Sequence, residues 1–302
     1  MRILIIYNSS MESRSVSGVH RYFAEVVPHW MARGHAVDFL AARSAHALFG
    51  RLYPQSRLIS SDDLVPAPGR GGAWWCVPGF GWRALPFHYA RDAAGYDIHF
   101  ACAPFLYEVY PAWRLAVRNR GALVVKAHHM VSAQARQPGL FNWLYLRTEL
   151  MSVRLLHRHG DLILSGAPPV AADYQAIEQR LGLAPSRVVS TGYGLNLAAL
   201  QVEAGAPKEY DAVLLGRVHA LKGIFDAPEV WRQVVARRPG ARLLIIGDGV
   251  HRAELQQRFA AAGLADAVRF AGGVSDAEKN RLLSRCRVGL SLSREEGWGL
   301  SV

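Results

Sequence analysis

Short apolar runs that end in a glycine turn, each followed by a segment of helical periodicity, recur along this 302-residue chain. A strand that runs into a glycine and then a helix has to cross over its sheet before the next strand can pair. That crossover makes the sheet parallel. Ile3 to Tyr7 opens the chain as a buried strand, and a polar loop leads to Gly18. Tyr22, Phe23, Val26, Val27 and Trp30 then sit at helical spacing between Val19 and Ala32, with Pro28 expected to break or kink the helix. Gly34 ends that helix, and His35 to Leu40 is the next strand, which completes a βαβ unit.

The pattern continues with strands at Asp97–Ala101 and Ala122–Ala127, and a short helix at Pro111–Arg120 between them. An amphipathic helix at Leu140–His159 precedes a strand at Asp161–Ser165, a helix at Ala171–Leu181 and a strand at Arg187–Thr191 that runs into Gly192-Tyr193-Gly194. Residues 50–95 are rich in Gly, Pro and Trp. They read as a long loop anchored by its aromatic side chains, with no regular element assigned. Residues 197–209 read as a linker. After it the rhythm restarts, with strands at Ala212–Leu215, Arg242–Ile246, Val268–Ala271 and Val288–Leu292. Helices are expected at Phe225–Arg238, Arg252–Ala262 and Asp276–Ser284. The expected architecture is two doubly wound α/β domains, 1–196 and 210–302, facing each other across a cleft.

The net charge is +11, carried almost wholly by Arg and shared by both halves. No block of Lys and Arg stands out, so nucleic acid is not the expected partner. A general positive field suits an anionic substrate or an anionic membrane surface. Cys76, Cys102 and Cys286 are scattered and odd in number, which reads as reduced thiols and not as a disulfide framework. No apolar run approaches the roughly 18 residues of a membrane span. The expected location is cytoplasmic, and peripheral contact with the inner face of the membrane is compatible with it. The Leu140–His159 helix mixes aromatics with Arg and His and could lie on a membrane, although packing into its own domain is the favoured reading.

Chemistry concentrates at the strand ends. Leu215 runs into Gly216 and Arg217, and Lys222 follows in front of Gly223. Two cations on a tight turn are suited to hold an anion, Arg as a planar fork and Lys as a point charge. Gly18 at a helix start would let backbone N–H groups approach a phosphate. Gly247-Asp248-Gly249 lacks the third glycine of a dinucleotide fingerprint, because Arg252 stands there, so a nicotinamide cofactor is poorly supported. His128 and His129 end a strand where open α/β sheets place ligands. They lack a third suitably spaced ligand, so a metal site is discounted.

Arg217 and Lys222, the two glycine turns Gly247-Asp248-Gly249 and Gly272-Gly273-Val274, and the run Glu296-Gly297-Trp298-Gly299-Leu300 together resemble the retaining family 4 glycosyltransferases of the GT-B fold. The resemblance implies that Arg217 and Lys222 bind the diphosphate of a nucleoside diphosphate sugar, with Gly247 and Val274 beside the donor. It implies that Glu296 holds the donor sugar, that Gly297 and Gly299 bring backbone N–H groups to the diphosphate, and that Trp298 replaces a usual Phe. His128 takes the place of a histidine near the donor sugar, and His129 stands where the family often has Asp. No metal or other cofactor is implied, and the acceptor would be a glycan or a lipid-linked saccharide in cell-surface polysaccharide assembly. The chain stops at Val302, before the second glutamate of the family's motif, so truncation and weak or absent turnover by these residues alone are expected. The alternatives are a non-catalytic sugar-nucleotide-binding or partner-binding remnant, and a sugar-nucleotide epimerase of the same fold.

Overall fold

The computed structural model describes residues 1–8, 18–61, 81–131, 140–194, 197, 200–201 and 203–293. The chain divides into two compact units, Met1–Leu195 and Asn196–Val302.

The first unit is built on seven parallel strands: β1 (Arg2–Tyr7), β2 (Ala36–Ala41), β3 (Leu58–Ser60), β4 (Ile98–Ala101), β5 (Ala122–Ala127), β6 (Leu162–Ser165) and β7 (Val188–Ser190). Their order is β3-β2-β1-β4-β5-β6-β7, so the winding reverses between β1 and β4. Its helices are α1 (Gly18–Ala32), α2 (Arg43–Leu52), α3 (Leu106–Asn119), α4 (Leu140–His159) and α5 (Pro168–Arg180). The strands are apolar on both faces, as a sheet covered on both sides requires. Leu4, Ile6, Leu123, Val125 and Ala127 pack with Val109, Leu115, Val153, Leu156 and Ile177 of α3, α4 and α5. Ile3, Ile5, Tyr7, Phe100 and Val124 point the other way, onto Phe23 of α1 and Phe49 of α2. Each fully buried Ile, Leu or Phe of this kind contributes about 1.5–3 kcal/mol.

The second unit holds β8 (Tyr210–Leu215), β9 (Leu243–Ile246), β10 (Val268–Gly272) and β11 (Cys286–Gly289), in the order β10-β9-β8-β11. The winding therefore reverses between β8 and β11. Its helices are α6 (Ala227–Arg237), α7 (Arg252–Ala261) and α8 (Asp276–Ser284). Leu214, Leu243 and Ile245 pack on Trp231, Leu255 and Phe259, while Val213, Leu244 and Ile246 pack on Leu282 and Cys286.

Neighbouring strands are pinned by aspartates toward the end where they start. Asp97 accepts a hydrogen bond from Arg2 N at 2.7 Å, Asp161 from Leu123 N at 2.8 Å, Asp211 from Arg242 N at 3.0 Å and Asp38 from Arg57 N at 2.9 Å. Each carboxylate satisfies a backbone donor of the adjacent strand or its approach, and so helps set the register.

Several elements differ from the sequence expectation. α1 runs through Pro28 to Ala32 without ending there. α3 starts at Leu106 and carries Pro111 inside it. A proline removes the N–H that would bond to the carbonyl four residues back. That carbonyl, of Tyr107, instead accepts a hydrogen bond from Asn8 Nδ2 at 2.8 Å. α2 and β3 occupy ground to which no element was assigned. β11 lies nearer the N-terminus than the apolar run Val288–Leu292, because the ladder pairs Cys286 with Tyr210 and Val288 with Ala212, and Val288 itself is exposed. Cys102 and Cys286 are buried free thiols, and Cys76 lies outside the described residues.

Candidate active site

In the second unit the site grows from the ends of three adjacent strands. β8 ends at Leu215, and Gly216 follows with φ 146° while its N–H donates to Ile246 O at 2.9 Å. β9 ends at Ile246, and Gly247 follows with φ 135° while its N–H donates to Gly272 O at 2.8 Å. A Cβ on Gly247 would lie 1.9 Å from Gly216 O, so the two turns approach closer than any side chain allows. The next residues continue the contact, with Val218 N donating to Asp248 O at 3.0 Å. The Arg217 turn and the Gly247-Asp248-Gly249 turn are thus one backbone assembly.

Arg217 is exposed on that assembly, and Lys222 is half-buried at the end of a short 3₁₀ turn, Ala220–Lys222. Gly216, Arg217 and Lys222 line a groove whose other wall is Leu290–Ser293, the segment after β11. The groove therefore sits between the carboxyl ends of β8 and β11, where the strand order reverses, the position at which open α/β sheets bind ligands. His219 stands edge-on to His251, 4.9 Å between ring centroids. Burial, His251 and Arg217 lower the pKa of His219, which favours its neutral form. Asp248 is turned to Arg252 at 3.3 Å and accepts from Gly249 N at 2.8 Å. Val274 sends its side chain into the core with Val213, Leu244 and Leu282, which leaves only its backbone for a ligand. The groove offers a fork and a point charge to an anion such as a diphosphate.

In the first unit His128 follows β5 directly and is 8% exposed. Its Nδ1 is hydrogen-bonded to the hydroxyl of Tyr193, while its Nε2 is buried with no partner among the described residues. Burial, the Lys126 ammonium and His129 hold its pKa well below the ordinary histidine value, so the ring is neutral. Gly18 is the first residue of α1. Glu296, Gly297, Trp298 and Gly299 lie outside the described residues. Arg217, Lys222 and Gly247 are brought together in one unit, and His128 belongs to the other.

Lys126, Tyr22 and Tyr193 join His128 here, although the sequence alone marks none of them as functional. Lys126 is fully buried in β5, on the face of Val124, and its ammonium donates to Thr191 Oγ1 at 2.6 Å and to Gly192 O at 3.2 Å. It also sits 4.0 Å from the ring centroid of Tyr22 and 4.9 Å from that of Tyr193. A signal existed: one cation inside an apolar strand, two residues before His128 and so on the same face.

Residues 199–302 match the family described as Glycosyl transferases group 1. No curated protein matches the chain in sequence. Among solved structures, sucrose-phosphate synthase from Thermosynechococcus elongatus is similar with a TM-score of 0.74 at 18% identity, over 99% of this chain and 77% of that one. Anabaena Alr3699/HepE in complex with UDP gives a TM-score of 0.69 at 15% identity, over 96% of this chain and 73% of that one. WaaG, a glycosyltransferase involved in lipopolysaccharide biosynthesis, gives 0.66 at 16% identity, over 100% of this chain and 77% of that one. The chain therefore has the GT-B fold of these structures, and its residues 199–302 are similar to the family of glycosyl transferases group 1.

Proposed function

We propose that the chain transfers a sugar, with retention, from a nucleoside diphosphate sugar to a glycan or lipid-linked acceptor in cell-surface polysaccharide assembly. The observation that carries this reading is the groove at the β8/β11 reversal, with Arg217 and Lys222 on glycine turns interlocked by backbone contact. As the bond between the anomeric carbon and the phosphate oxygen breaks, negative charge grows on the diphosphate. Fixed cations stabilise that charge without a metal, and losing one such contact costs about 3–4 kcal/mol of barrier. The acceptor hydroxyl attacks the same face of the sugar, and its proton passes to the departing phosphate oxygen. His128 orients the donor sugar and Glu296 holds its hydroxyls. The enzyme works at the cytoplasmic face of a membrane. Trp143, Arg147 and Met151 lie one turn apart on α4 and are exposed, which suits shallow contact with an anionic surface.

The test is calorimetric titration with UDP, GDP, ADP and TDP, beginning with UDP because the Anabaena HepE structure holds it. One nucleotide should bind, and Arg217→Ala and Lys222→Ala should each weaken it by about tenfold or more, the equivalent of at least 1.4 kcal/mol. Equal affinity in the variants would remove both residues from the donor site.

A further inference from the structure

Two elements meet at His128 in a way that the transfer reading does not use. Tyr193 stands in the turn after β7, and its ring rests directly on Gly166, where a Cβ would come within 2.3 Å of it. The ring's place is therefore fixed by backbone as well as by its neighbours. Its hydroxyl meets His128 Nδ1. Lys126 holds the same turn by donating to Thr191 Oγ1 and Gly192 O, and places its ammonium against the Tyr22 and Tyr193 rings. Among the described residues no hydrogen bond or ion pair joins this buried ammonium to a carboxylate. Its contacts are a hydroxyl, a carbonyl and two aromatic faces.

A neutral imidazole carries one proton, on either nitrogen, and the partner of the other nitrogen decides which. The Tyr193 hydroxyl could donate to Nδ1 or accept from it. A cation over the phenol draws electron density away from its oxygen, so the hydroxyl becomes the better donor and the poorer acceptor. Tyr193 then donates to Nδ1, and the ring proton belongs on Nε2. That nitrogen is buried, has no acceptor among the described residues, and stands at the carboxyl end of a central strand. We propose that Lys126 and Tyr193 are positioning residues that fix His128 as the Nε2–H tautomer, making it a hydrogen-bond donor to a hydroxyl oxygen of the bound sugar. The sugar half of this inference rests on the transfer reading above. The tautomer half does not.

The tautomer is read without substrate. Protein labelled with ¹⁵N in histidine distinguishes protonated from unprotonated ring nitrogens, and His128→Gln identifies the resonances. Wild type should show His128 protonated at Nε2. Tyr193→Phe keeps the ring and removes the donor, and should give a mixture of tautomers. Burial lowers the Lys126 pKa to about 8, so the wild-type preference should weaken as pH rises through about 8. Lys126→Met, of similar length, should show a weaker preference at every pH and no such step. The other titratable groups facing this cluster are Tyr22 from α1, Tyr193, Cys102 beside Tyr22 after β4, and His129 next to His128. Burial raises the Tyr22 and Tyr193 pKa values, which keeps both phenols protonated across this range.

With a sugar nucleotide that the wild type turns over, both variants should lose kcat by about tenfold, since a hydrogen-bonding partner of this kind is worth about 1.4 kcal/mol. Affinity for the bare nucleoside diphosphate should stay unchanged, because His128 addresses the sugar. A wild-type His128 protonated at Nδ1, or a tautomer indifferent to Tyr193→Phe, overturns the proposal. So does an unchanged kcat in a variant whose tautomer has shifted. A wild type with the stated tautomer that binds no sugar nucleotide overturns the sugar half together with the transfer reading, and leaves the tautomer half supported.

Discussion

Two glycines, one after α1 in the first unit and one after β9 in the second, separate two effects that are often merged. Gly34 has φ 80° with nothing within 4 Å of an added Cβ, so Gly34→Ala should meet only backbone strain, about 1 kcal/mol. Gly247 has φ 135°, and its added Cβ would fall 1.9 Å from a carbonyl oxygen that belongs to another backbone turn. Backbone cannot step aside as a flexible side chain can, so Gly247→Ala should cost about 3 kcal/mol or more and weaken nucleotide binding with it. Urea denaturation of the two variants beside wild type checks the contrast. Equal losses would show that conformation, and not contact, sets the requirement at Gly247. The sequence made Gly247 visible as part of a turn, but the oxygen it must avoid belongs to Gly216, thirty-one residues earlier. Residues whose roles depend on such distant partners were the least legible. Lys126 is one more member of a buried strand in the sequence, and its partners Thr191 and Gly192 lie some 65 residues further on.

Element by element, legibility followed local signals. α4 runs from Leu140 to His159 as its periodicity indicated, with Gly160 just past its last residue. The sequence places the start of α3 at Pro111, a residue that suits a first helical turn. The helix starts earlier because its broken bond is taken over from outside, by Asn8 at the end of β1. Asn8 is fully buried and donates to Arg83 O at 3.2 Å as well as to Tyr107 O, while Arg83 donates back to Asn8 O at 3.0 Å. Asn8→Ala would take the outside donor from the Tyr107 carbonyl, a loss of about 1–3 kcal/mol, while Arg83 O keeps the Tyr89 hydroxyl at 2.7 Å. A fall of about 1–3 kcal/mol in unfolding free energy is expected, and a fall below 1 kcal/mol would mean that α3 tolerates its proline unaided. In α2, Ala45, Leu48, Phe49 and Leu52 have helical spacing, but the helix is only ten residues long and Gly- and Pro-rich sequence follows it. β3 spans three residues, too short for its alternation to register.

Across the whole molecule, the buried histidines set a pH limit. Burial lowers the pKa of His20 and of His99 to about 4, and burial with the neighbouring Lys126 and His129 holds that of His128 well below the ordinary value. A histidine whose folded pKa is depressed gives stability that is present above its unfolded value near 6.5. That stability is lost as pH falls toward the folded value. Each pKa unit is worth about 1.4 kcal/mol, so His20 and His99 could each forfeit on the order of 3 kcal/mol between pH 6.5 and 4. All three histidines lie in Met1–Leu195, so that unit should be the one that gives way. Denaturation midpoints at pH 7, 6, 5 and 4.5, followed by a probe in each unit, should show the first unit weakening first. A flat profile from 7 to 4.5 would contradict the burial of these rings. At this scale the sequence was most informative, because strand, glycine and helix repeat locally, and the alternation alone fixes a parallel sheet with its turns on one rim.

The aspartate pins have a further consequence for how such a protein can be altered. Asp38, Asp97, Asp161 and Asp211 fasten neighbouring strands toward the rim of each sheet where the strands start, while His128, Arg217, Lys222 and Gly247 follow the strands' carboxyl ends. What holds the strands in register is thus largely separate from what meets a ligand. Turns after β5, β7, β8 and β11 could be exchanged for those of a relative with another specificity while the pinned rim keeps its alignment. For the same reason, grafting that began at the pinned rim would scramble the scaffold before it touched the chemistry.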